Sequence, residues 1–424
     1  MHVSNRRRDG ATYAVAFVLT FSLFALWGLG HKLYDMLLGQ FEQVFSLGGA
    51  KLVITQSVYA FAYMLFAVPA ALCTRRFGYR AAILFGLGSV AIGSFALYPA
   101  AETRTYWYFL VAATVMSCGW TLLEIAATPL VAALGSEDTS IRRLNLAQSF
   151  YTPGALAGWL AGHWLIVTGL AVPKAHDSYS IMHPYLAIAL VVMLLAFLFD
   201  STPFPSVAIQ SVRGLKGVSG EFRKLLSSRI FALGIVGQFF CAVTLGGSWS
   251  YSDSFFVGRL PDLSMSAIGG PFAAILIVFG IGRFVGTALM YRFAPERVLA
   301  VFSGFGALIM AAATVAPGSA AAVCVIASSF FLSVTWPTVI GIAIRGQGPL
   351  MKLGTGLLYV SAALGGTAYR WIAAAYPFAA EHYGMGVASL SYGVLLAYAV
   401  FAFRTYRRLP KPDTAQLDTA VTAP

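Results

Sequence analysis

The chain alternates between apolar stretches of about 20 residues and short polar loops, and this pattern restricts it to one fold class. A helix needs about 20 apolar residues to cross the hydrocarbon core of a bilayer. Hydrophobic residues make up 58% of the 424 residues and charged residues only 10%, against about 25% charged residues in a soluble domain. We therefore predict an all-α membrane protein with twelve transmembrane helices. The predicted spans are 11–39, 51–72, 81–99, 105–133, 144–169, 183–199, 230–256, 265–290, 298–316, 319–343, 353–379 and 383–403.

The 28 Lys and Arg residues are distributed unevenly between the predicted loops. Three quarters of them lie in the terminal segments and in alternate loops, namely 1–10, 73–80, 134–143, 201–229, 291–297, 344–352 and 404–424. Basic residues accumulate on the cytoplasmic side of membrane proteins. The distribution predicts that both termini are cytoplasmic. It also accounts for the net charge of +12 without a nucleic-acid partner.

A polar linker near the midpoint divides the chain into two similar parts. Residues 201–228 contain two prolines, three glycines and charges of both signs, and the piece at 220–229 is expected to lie on the membrane surface. Arg76-Phe77 before the third span is echoed by Arg292-Phe293 before the ninth. Parallel repeats of this kind are typical of carriers. We predict an N-terminal half at 1–200, the linker at 201–228, a C-terminal half at 229–406 and a cytoplasmic tail at 407–424.

Two carboxylates lie inside predicted spans, where a charge is costly. Glu124 is the only charged residue between Arg104 and Glu137, and Asp35 lies in the first span. A charge at the bilayer centre costs about 2.5–3.5 kcal/mol on insertion scales and usually marks a functional site. Two acids that can exchange protons inside a membrane predict an ion-coupled carrier. For Asp35 the alternative is a local ion pair with Lys32, because residues three apart share a helix face.

Several residue strings in both halves match a known pattern. They are Leu26-Trp27-Gly28 with Leu33-x-Asp35-x-Leu37-Leu38-x-Gln40-Phe41, Leu123-Glu124-x-Ala126-Ala127-x-Pro129 with Arg143-Leu144-Asn145-Leu146-Ala147-Gln148-Ser149-Phe150, and Gly282-Arg283-Phe284-x-Gly286-Thr287 with Arg292-Phe293-Ala294-Pro295. Together they resemble the fucose–galactose–glucose:proton symporter family, over most of spans 1–11. The resemblance implies the major facilitator fold, with two carboxylates that serve proton coupling and sugar binding. Those carboxylates correspond to Asp35 and Glu124.

The chain departs from the family pattern at positions that leave the identity of the sugar open. His31 and Lys32 stand where the family has asparagines, Tyr151 replaces another asparagine, and Arg370 replaces a proline. Lys32 and Arg370 would suit the carboxylate of a uronate, which makes an acidic-sugar symporter one alternative. The other interpretation is that Lys32 and Arg370 balance the negative charge of Asp35 and extend their own charges to the outer surface of the membrane. Arg283 is expected to border the cytoplasmic gate or to extend its charge to the membrane surface.

Polar and aromatic side chains within the spans are the candidate sugar ligands. Amides at membrane depth need hydrogen-bonding partners, and sugar hydroxyls supply them. Each candidate also has a structural interpretation, as a packing, interface or solvated residue. The candidates are Gln56, Gln148, Gln238 and Asn145 for hydroxyl groups, Trp27 or Trp120 for stacking on a pyranose, and His31, Tyr59 and Tyr151 as further contacts.

These features predict a monomeric sugar:proton symporter of a bacterial inner membrane, which imports a monosaccharide by alternating access. A uniporter and a channel are the alternatives. The sequence holds no HExxH string and no Ser/His pair at membrane depth, so an enzyme is not expected. The four cysteines show no metal-ligand or redox spacing, and neither a metal nor a cofactor is expected.

Overall fold

The computed structural model describes residues 2–45, 48, 50–168, 182–205, 217–250, 256 and 269–408, and the regular secondary structure among them is all helical. The α-helices are α1 (His2–Phe45), α2 (Ala50–Glu102), α3 (Tyr106–Ala133), α4 (Ser140–Ser149), α5 (Tyr151–Val167), α6 (His183–Ser201), α7 (Val218–Ser227), α8 (Arg229–Leu245), α9 (Gly269–Leu289), α10 (Pro295–Val315), α11 (Gly318–Leu332), α12 (Thr335–Ile344), α13 (Met351–Ala375) and α14 (Pro377–Arg408). A π-helical turn at Gly246–Ser250 continues α8.

Within these residues, nine helical stretches are long and apolar enough to cross a membrane. One of them is α6, whose side chains Leu190, Leu194 and Phe197 are exposed. Helices satisfy their backbone hydrogen bonds internally, which is why they can cross a bilayer. Exposed apolar side chains along such a helix are accounted for by contact with lipid.

Helix α2 is divided at Gly78. A straight helix of 53 residues would be about 80 Å long, far beyond the roughly 30 Å of a bilayer core. Gly78 has φ 86°, a conformation that costs glycine little because it has no Cβ. The division falls in the loop that the sequence predicted between the second and third spans.

The helices form two groups that meet along a central interface. In the first group α1 packs on α5, and α2 packs on α3 and α6. In the second group α10 packs on α14, and α8 packs on α12, α13 and α14. The groups meet where α13 crosses α2 and α3, where α12 crosses α4, and where α9 crosses α4 and α5. We call them the N-terminal group (α1–α6) and the C-terminal group (α8–α14).

Glycines on α5, spaced as Gly154-x3-Gly158-x3-Gly162, let it approach α1 closely, because small residues allow two membrane helices to come near each other. A Cβ added to Gly154 would overlap the backbone carbonyl of Ala25, and one added to Gly158 would overlap that of Leu29. The α1–α5 contact therefore depends on the absence of side chains on this face of α5.

We expect Gly154→Ala to lower the stability of the protein by about 1–3 kcal/mol, the usual cost of overpacking. The matched control is Gly88→Ala on α2, because a Cβ there has no neighbour within 4 Å. The measurement is the apparent melting temperature of the two purified variants in detergent. Equal melting temperatures would contradict the close approach of α1 and α5.

Helix α7 is fixed to the bundle rather than lying only on the membrane surface. Arg75 of α2 donates two hydrogen bonds to Glu221 of α7, from Nε to Oε2 at 3.0 Å and from Nη2 to Oε1 at 2.7 Å. Leu225 on the same helix is fully buried. The sequence predicted that residues 220–229 lie on the membrane surface but did not indicate this anchoring, because Arg75 lies far away along the chain.

Candidate functional site

Glu124 lies in the interior of the bundle on α3, with 5% of its surface exposed. Its two oxygens have different partners. Tyr63 of α2 donates its hydroxyl proton to Oε2, and Tyr359 of α13 donates to Oε1 at 2.8 Å. Hydrogen bonds to an ionised acceptor are stronger than neutral ones. Because Tyr63 belongs to the N-terminal group and Tyr359 to the C-terminal group, the carboxylate joins the two groups.

Protonation of Glu124 would rearrange these hydrogen bonds. An ionised carboxylate only accepts, whereas a protonated one also donates. The hydroxyl of Thr128 lies 3.1 Å from that of Tyr359, so Tyr359 can accept from Thr128 while it donates to Glu124. If Glu124 donated its proton to Tyr359, the tyrosine would turn its own proton toward Thr128. The proton state of Glu124 thus acts directly on a contact between the two groups.

Aromatic rings surround this carboxylate. The rings of Tyr63 and Tyr359 are stacked, with centroids 5.9 Å apart and planes 20° apart. Trp336 meets the ring of Tyr359 edge-on at 5.8 Å. Trp27 and Glu124 border a cavity of about 10 Å³, which has room for about one water molecule. This cavity is too small for a sugar.

Arg283 of α9 is a buried cation in the same region, with 4% of its surface exposed. It lies 4.7 Å from the centroid of the Phe279 ring, and it interacts electrostatically with Glu124. The expectation that this arginine extends to the membrane surface is wrong. Its charge is instead balanced inside the protein, between the two groups of helices.

Two backbone carbonyls hold Arg283 in place. Nε donates to the carbonyl of Ser333 and Nη1 to the carbonyl of Gln148, each at 2.7 Å. The carbonyl of Ser333 lies in the interruption between α11 and α12 and has no helical donor at Pro337, because proline lacks an N–H. Gln148 lies in the last turn of α4, directly before the break between α4 and α5. Arg283 thus bridges an interrupted helix of each group.

The second carboxylate, Asp35, belongs to a separate cluster on α1. Its Oδ2 lies 2.9 Å from Lys32 Nζ and 3.6 Å from His31 Nδ1. The side chain of Lys32 is 9% exposed and that of Asp35 46%. The ion pair with Lys32 that the sequence offered as the alternative for Asp35 is present in the structure. Asp35 is therefore the more accessible of the two acids, and a cation is already beside it.

Lys32 also reaches the C-terminal group. Its Nζ lies 5.5 Å from the ring centroid of Trp249 and 5.1 Å from that of Phe272, within the range of cation–π attraction. Arg370, which is exposed on α13, interacts electrostatically with Asp35 and His31. The two basic residues that the sequence singled out therefore act on the same acidic side chain.

Among the predicted ligands, Gln148, Gln238 and Trp120 carry buried polar atoms with no hydrogen-bonding partner among the described residues. These atoms are Nε2 of Gln148, both amide atoms of Gln238, and Nε1 of Trp120. Buried polar groups are nearly always hydrogen-bonded. Groups without a partner near a candidate site are available to a ligand or to water.

The other candidate ligands differ in whether their side chains are free to bind a sugar. Asn145 donates from Nδ2 to the hydroxyl of Thr338 at 3.1 Å, across the two groups, so its amide is already engaged. The ring of Tyr151 packs against that of Trp27, with centroids 4.5 Å apart. The side chains of Gln56 and Tyr59 lie outside the described residues.

Sequence reasoning identified Glu124 but not its partners. Neither Tyr63 nor Tyr359 is among the candidate ligands that the sequence indicated. For Arg283, a signal was present in the sequence: Pro337 removes a backbone donor and so predicts an unpaired carbonyl four residues earlier. Nothing in the sequence indicated that Arg283 would be the donor to that carbonyl.

The fold and the site together define a class of protein: an integral membrane carrier whose two helical groups meet at a buried, protonatable carboxylate. Residues 12–368 match the sequence model of the Major Facilitator Superfamily. The chain therefore belongs to this family. The family and the relatives found for this chain are transporters and not enzymes.

Individual relatives extend over most of the chain. It is 31% identical to the L-fucose-proton symporter of Escherichia coli (strain K12) over 375 residues, which cover 84% of this chain and 85% of that protein. It is 30% identical to the glucose/galactose transporter of Brucella abortus biovar 1 over 403 residues, covering 92% and 93%. The crystal structure of a variant of the E. coli fucose:proton symporter, FucP, superposes with a TM-score of 0.85 at 28% identity, covering 92% of this chain and 99% of that one.

Proposed function

We propose that this chain imports a monosaccharide together with protons, as a sugar:proton symporter. The names of its relatives, L-fucose-proton symporter and glucose/galactose transporter, support the substrate class. The observation that carries the coupling is the position of Glu124, a buried carboxylate held by Tyr63 from one group of helices and by Tyr359 from the other.

The proposed cycle follows from those contacts. In the outward-open state Glu124 takes up a proton, and a sugar binds between the groups. The neutral side chain removes the cost of carrying an ionised carboxylate through the closed state. The groups then rock, the site opens inward, and the sugar and the proton leave. Arg283 supplies a fixed positive charge that balances Glu124 whenever it is ionised.

The sugar site is proposed to lie between the groups, next to the carboxylate. The unpartnered amides of Gln148 and Gln238 would bind hydroxyl groups, and Trp27 or Trp120 would stack on the pyranose. Tyr151, Gln56 and Tyr59 are further candidate contacts. Asp35 is a second candidate for coupling or sugar binding, and His31 a further contact. In a uronate carrier, Lys32 and Arg370 would instead bind the substrate carboxylate.

The topology belongs to the same proposal. Twelve spans in two halves, 1–200 and 229–406, with both termini in the cytoplasm, agree with the distribution of basic residues. The protein is proposed to act as a monomer in a bacterial inner membrane.

The test is the external pH of de-energised vesicles containing the protein when a sugar is added. The panel contains neutral hexoses, deoxyhexoses, amino sugars and uronates. We expect alkalinisation with one neutral sugar, because each sugar that enters takes a proton with it. Alkalinisation with uronates alone would favour the site at Lys32 and Arg370. Robust counterflow of sugar without any pH change would mean that the protein is a uniporter.

The pair formed by Lys32 and Asp35 allows a further prediction. We expect Lys32→Met to reduce sugar uptake at least about threefold, because it removes the cation that pairs with Asp35. The double variant Lys32→Met, Asp35→Asn should recover part of that loss, because it removes the negative charge as well. The measurement is initial uptake in proteoliposomes, with Lys51→Met as the charge-matched control. A double variant no better than Lys32→Met would mean that Lys32 acts on the substrate or that the Asp35 carboxylate is itself needed for transport.

A further inference from the structure

A cavity of about 480 Å³ opens at the end of the bundle where α4 begins and α12 ends. Its wall comes from both groups of helices: from α4 and the turn before it, and from the α9–α10 connection, α12 and α14. Seven charged side chains line it: Arg142, Arg292, Arg297, Arg345, Arg407, Asp138 and Glu296. The five arginines and two carboxylates give this wall a net charge of +3.

One arginine engages both carboxylates. Arg345 Nη1 lies 3.0 Å from Glu296 Oε1, and its Nη2 lies 3.9 Å from Asp138 Oδ1. In the described part of the chain, no carboxylate lies within ion-pair distance of the other four arginines. Four like charges around one concave surface repel each other, and an anion between them would relieve that repulsion.

Aromatic rings orient two of these four arginines. The guanidinium of Arg142 lies 5.2 Å from the ring centroid of Tyr291, and that of Arg297 lies 4.5 Å from that of Phe403. Stacking fixes the plane of a guanidinium and leaves its N–H groups free to bind an oxyanion. A basic cytoplasmic surface is expected from topology alone, but topology does not require arginines from both groups to line one cavity.

We propose that this cavity binds a phosphate group. Guanidinium forks match phosphate oxygens in a bidentate way, and the volume exceeds that of one phosphate, so the attached group has room as well. Two sources have this chemistry: the headgroup of an anionic phospholipid such as phosphatidylglycerol, and free phosphate or a phosphate ester from the cytoplasm. Basic pockets on the cytoplasmic side of helical membrane proteins are typical sites for anionic headgroups.

A phosphate held here would also restrain movement between the groups. Arg142 belongs to the N-terminal group, whereas Arg292, Arg297 and Arg407 belong to the C-terminal group. A ligand stabilises the conformation to which it binds more tightly. An anion that touches both sides therefore favours the state in which this end is closed. This consequence rests on the proposed transport cycle, whereas the binding itself does not.

The test measures binding directly, without sugar. The purified protein in phosphate-free neutral detergent is titrated with inorganic phosphate at constant ionic strength, and thermal stabilisation gives the midpoint concentration. In a parallel arm, nanodiscs of phosphatidylcholine are compared with nanodiscs that also contain phosphatidylglycerol. We expect Arg142→Gln and Arg297→Gln each to raise the midpoint phosphate concentration about tenfold, or to weaken phosphatidylglycerol binding by the same factor. A tenfold loss of affinity is typical of the loss of one charge-assisted hydrogen bond.

The control is Arg223→Gln, which removes the same charge from an exposed position on α7 outside the cavity. A midpoint stays measurable in a variant that melts at a lower temperature, so reduced stability does not obscure the result. Stabilisation in one arm alone, lost in the two cavity variants, supports the site and identifies its source. No stabilisation in either arm, or an equal loss in Arg223→Gln, overturns the proposal. Neither result depends on whether sugar is transported.

Discussion

Replacing Glu124 by glutamine should abolish sugar accumulation while exchange of sugar across the membrane continues. Glutamine keeps the size of the side chain and can still accept a hydrogen bond from one tyrosine, but it cannot take up a proton. With one proton per sugar, a membrane potential of about 100 mV supplies about 2.3 kcal/mol, which corresponds to about 50-fold accumulation. We expect that ratio to fall to one in the variant. The measurement is uptake of labelled sugar into energised proteoliposomes, with counterflow measured in the same preparation.

The matched control for this experiment is Glu102→Gln, an exposed carboxylate at the end of α2. It removes the same negative charge without touching the interface between the groups, so accumulation should remain normal. Persistent accumulation in Glu124→Gln would show that the proton travels elsewhere, and Asp35→Asn would then be the variant to examine. Loss of counterflow together with accumulation would instead assign Glu124 to sugar binding.

The second large effect is expected at Arg283. Arg283→Gln removes a buried cation that holds the carbonyls of Gln148 and Ser333 and balances Glu124. Removing one member of a buried charge arrangement costs about 3–5 kcal/mol, which as a barrier corresponds to a fall in transport rate of about 150- to 5,000-fold. The rate of counterflow measures it, because counterflow requires the conformational change but no net proton movement.

Arg283→Lys separates the charge from the geometry. Lysine keeps the positive charge but lacks the planar fork that reaches two carbonyls at once. We expect an intermediate rate, and unchanged transport in the control Arg408→Gln at the exposed end of α14. Normal counterflow in both Arg283 variants would contradict the role of this residue in joining the groups.

The candidate site illustrates how far sequence reasoning extends. Glu124 was identifiable because a lone carboxylate in a long apolar segment is costly and needs a reason to be there. The pair of Lys32 and Asp35 was predictable because helical spacing alone brings them together. Tyr63 and Tyr359 were not, because a tyrosine in a span has a similar local sequence whether its hydroxyl meets lipid headgroups, a backbone carbonyl or a carboxylate.

The amino-acid sequence by itself determined the helical membrane fold, because a chain that cannot expose its backbone to lipid has few alternatives to helices. It also indicated Glu124 as a buried charge, because no other charged residue lies between Arg104 and Glu137. Only the tertiary structure decided which groups face that charge. Tyr63, Tyr359 and Arg283 reach Glu124 from α2, α13 and α9, and such contacts are set by how the two groups of helices pack against each other. No local pattern encodes that arrangement, because each side chain's partner lies on another helix.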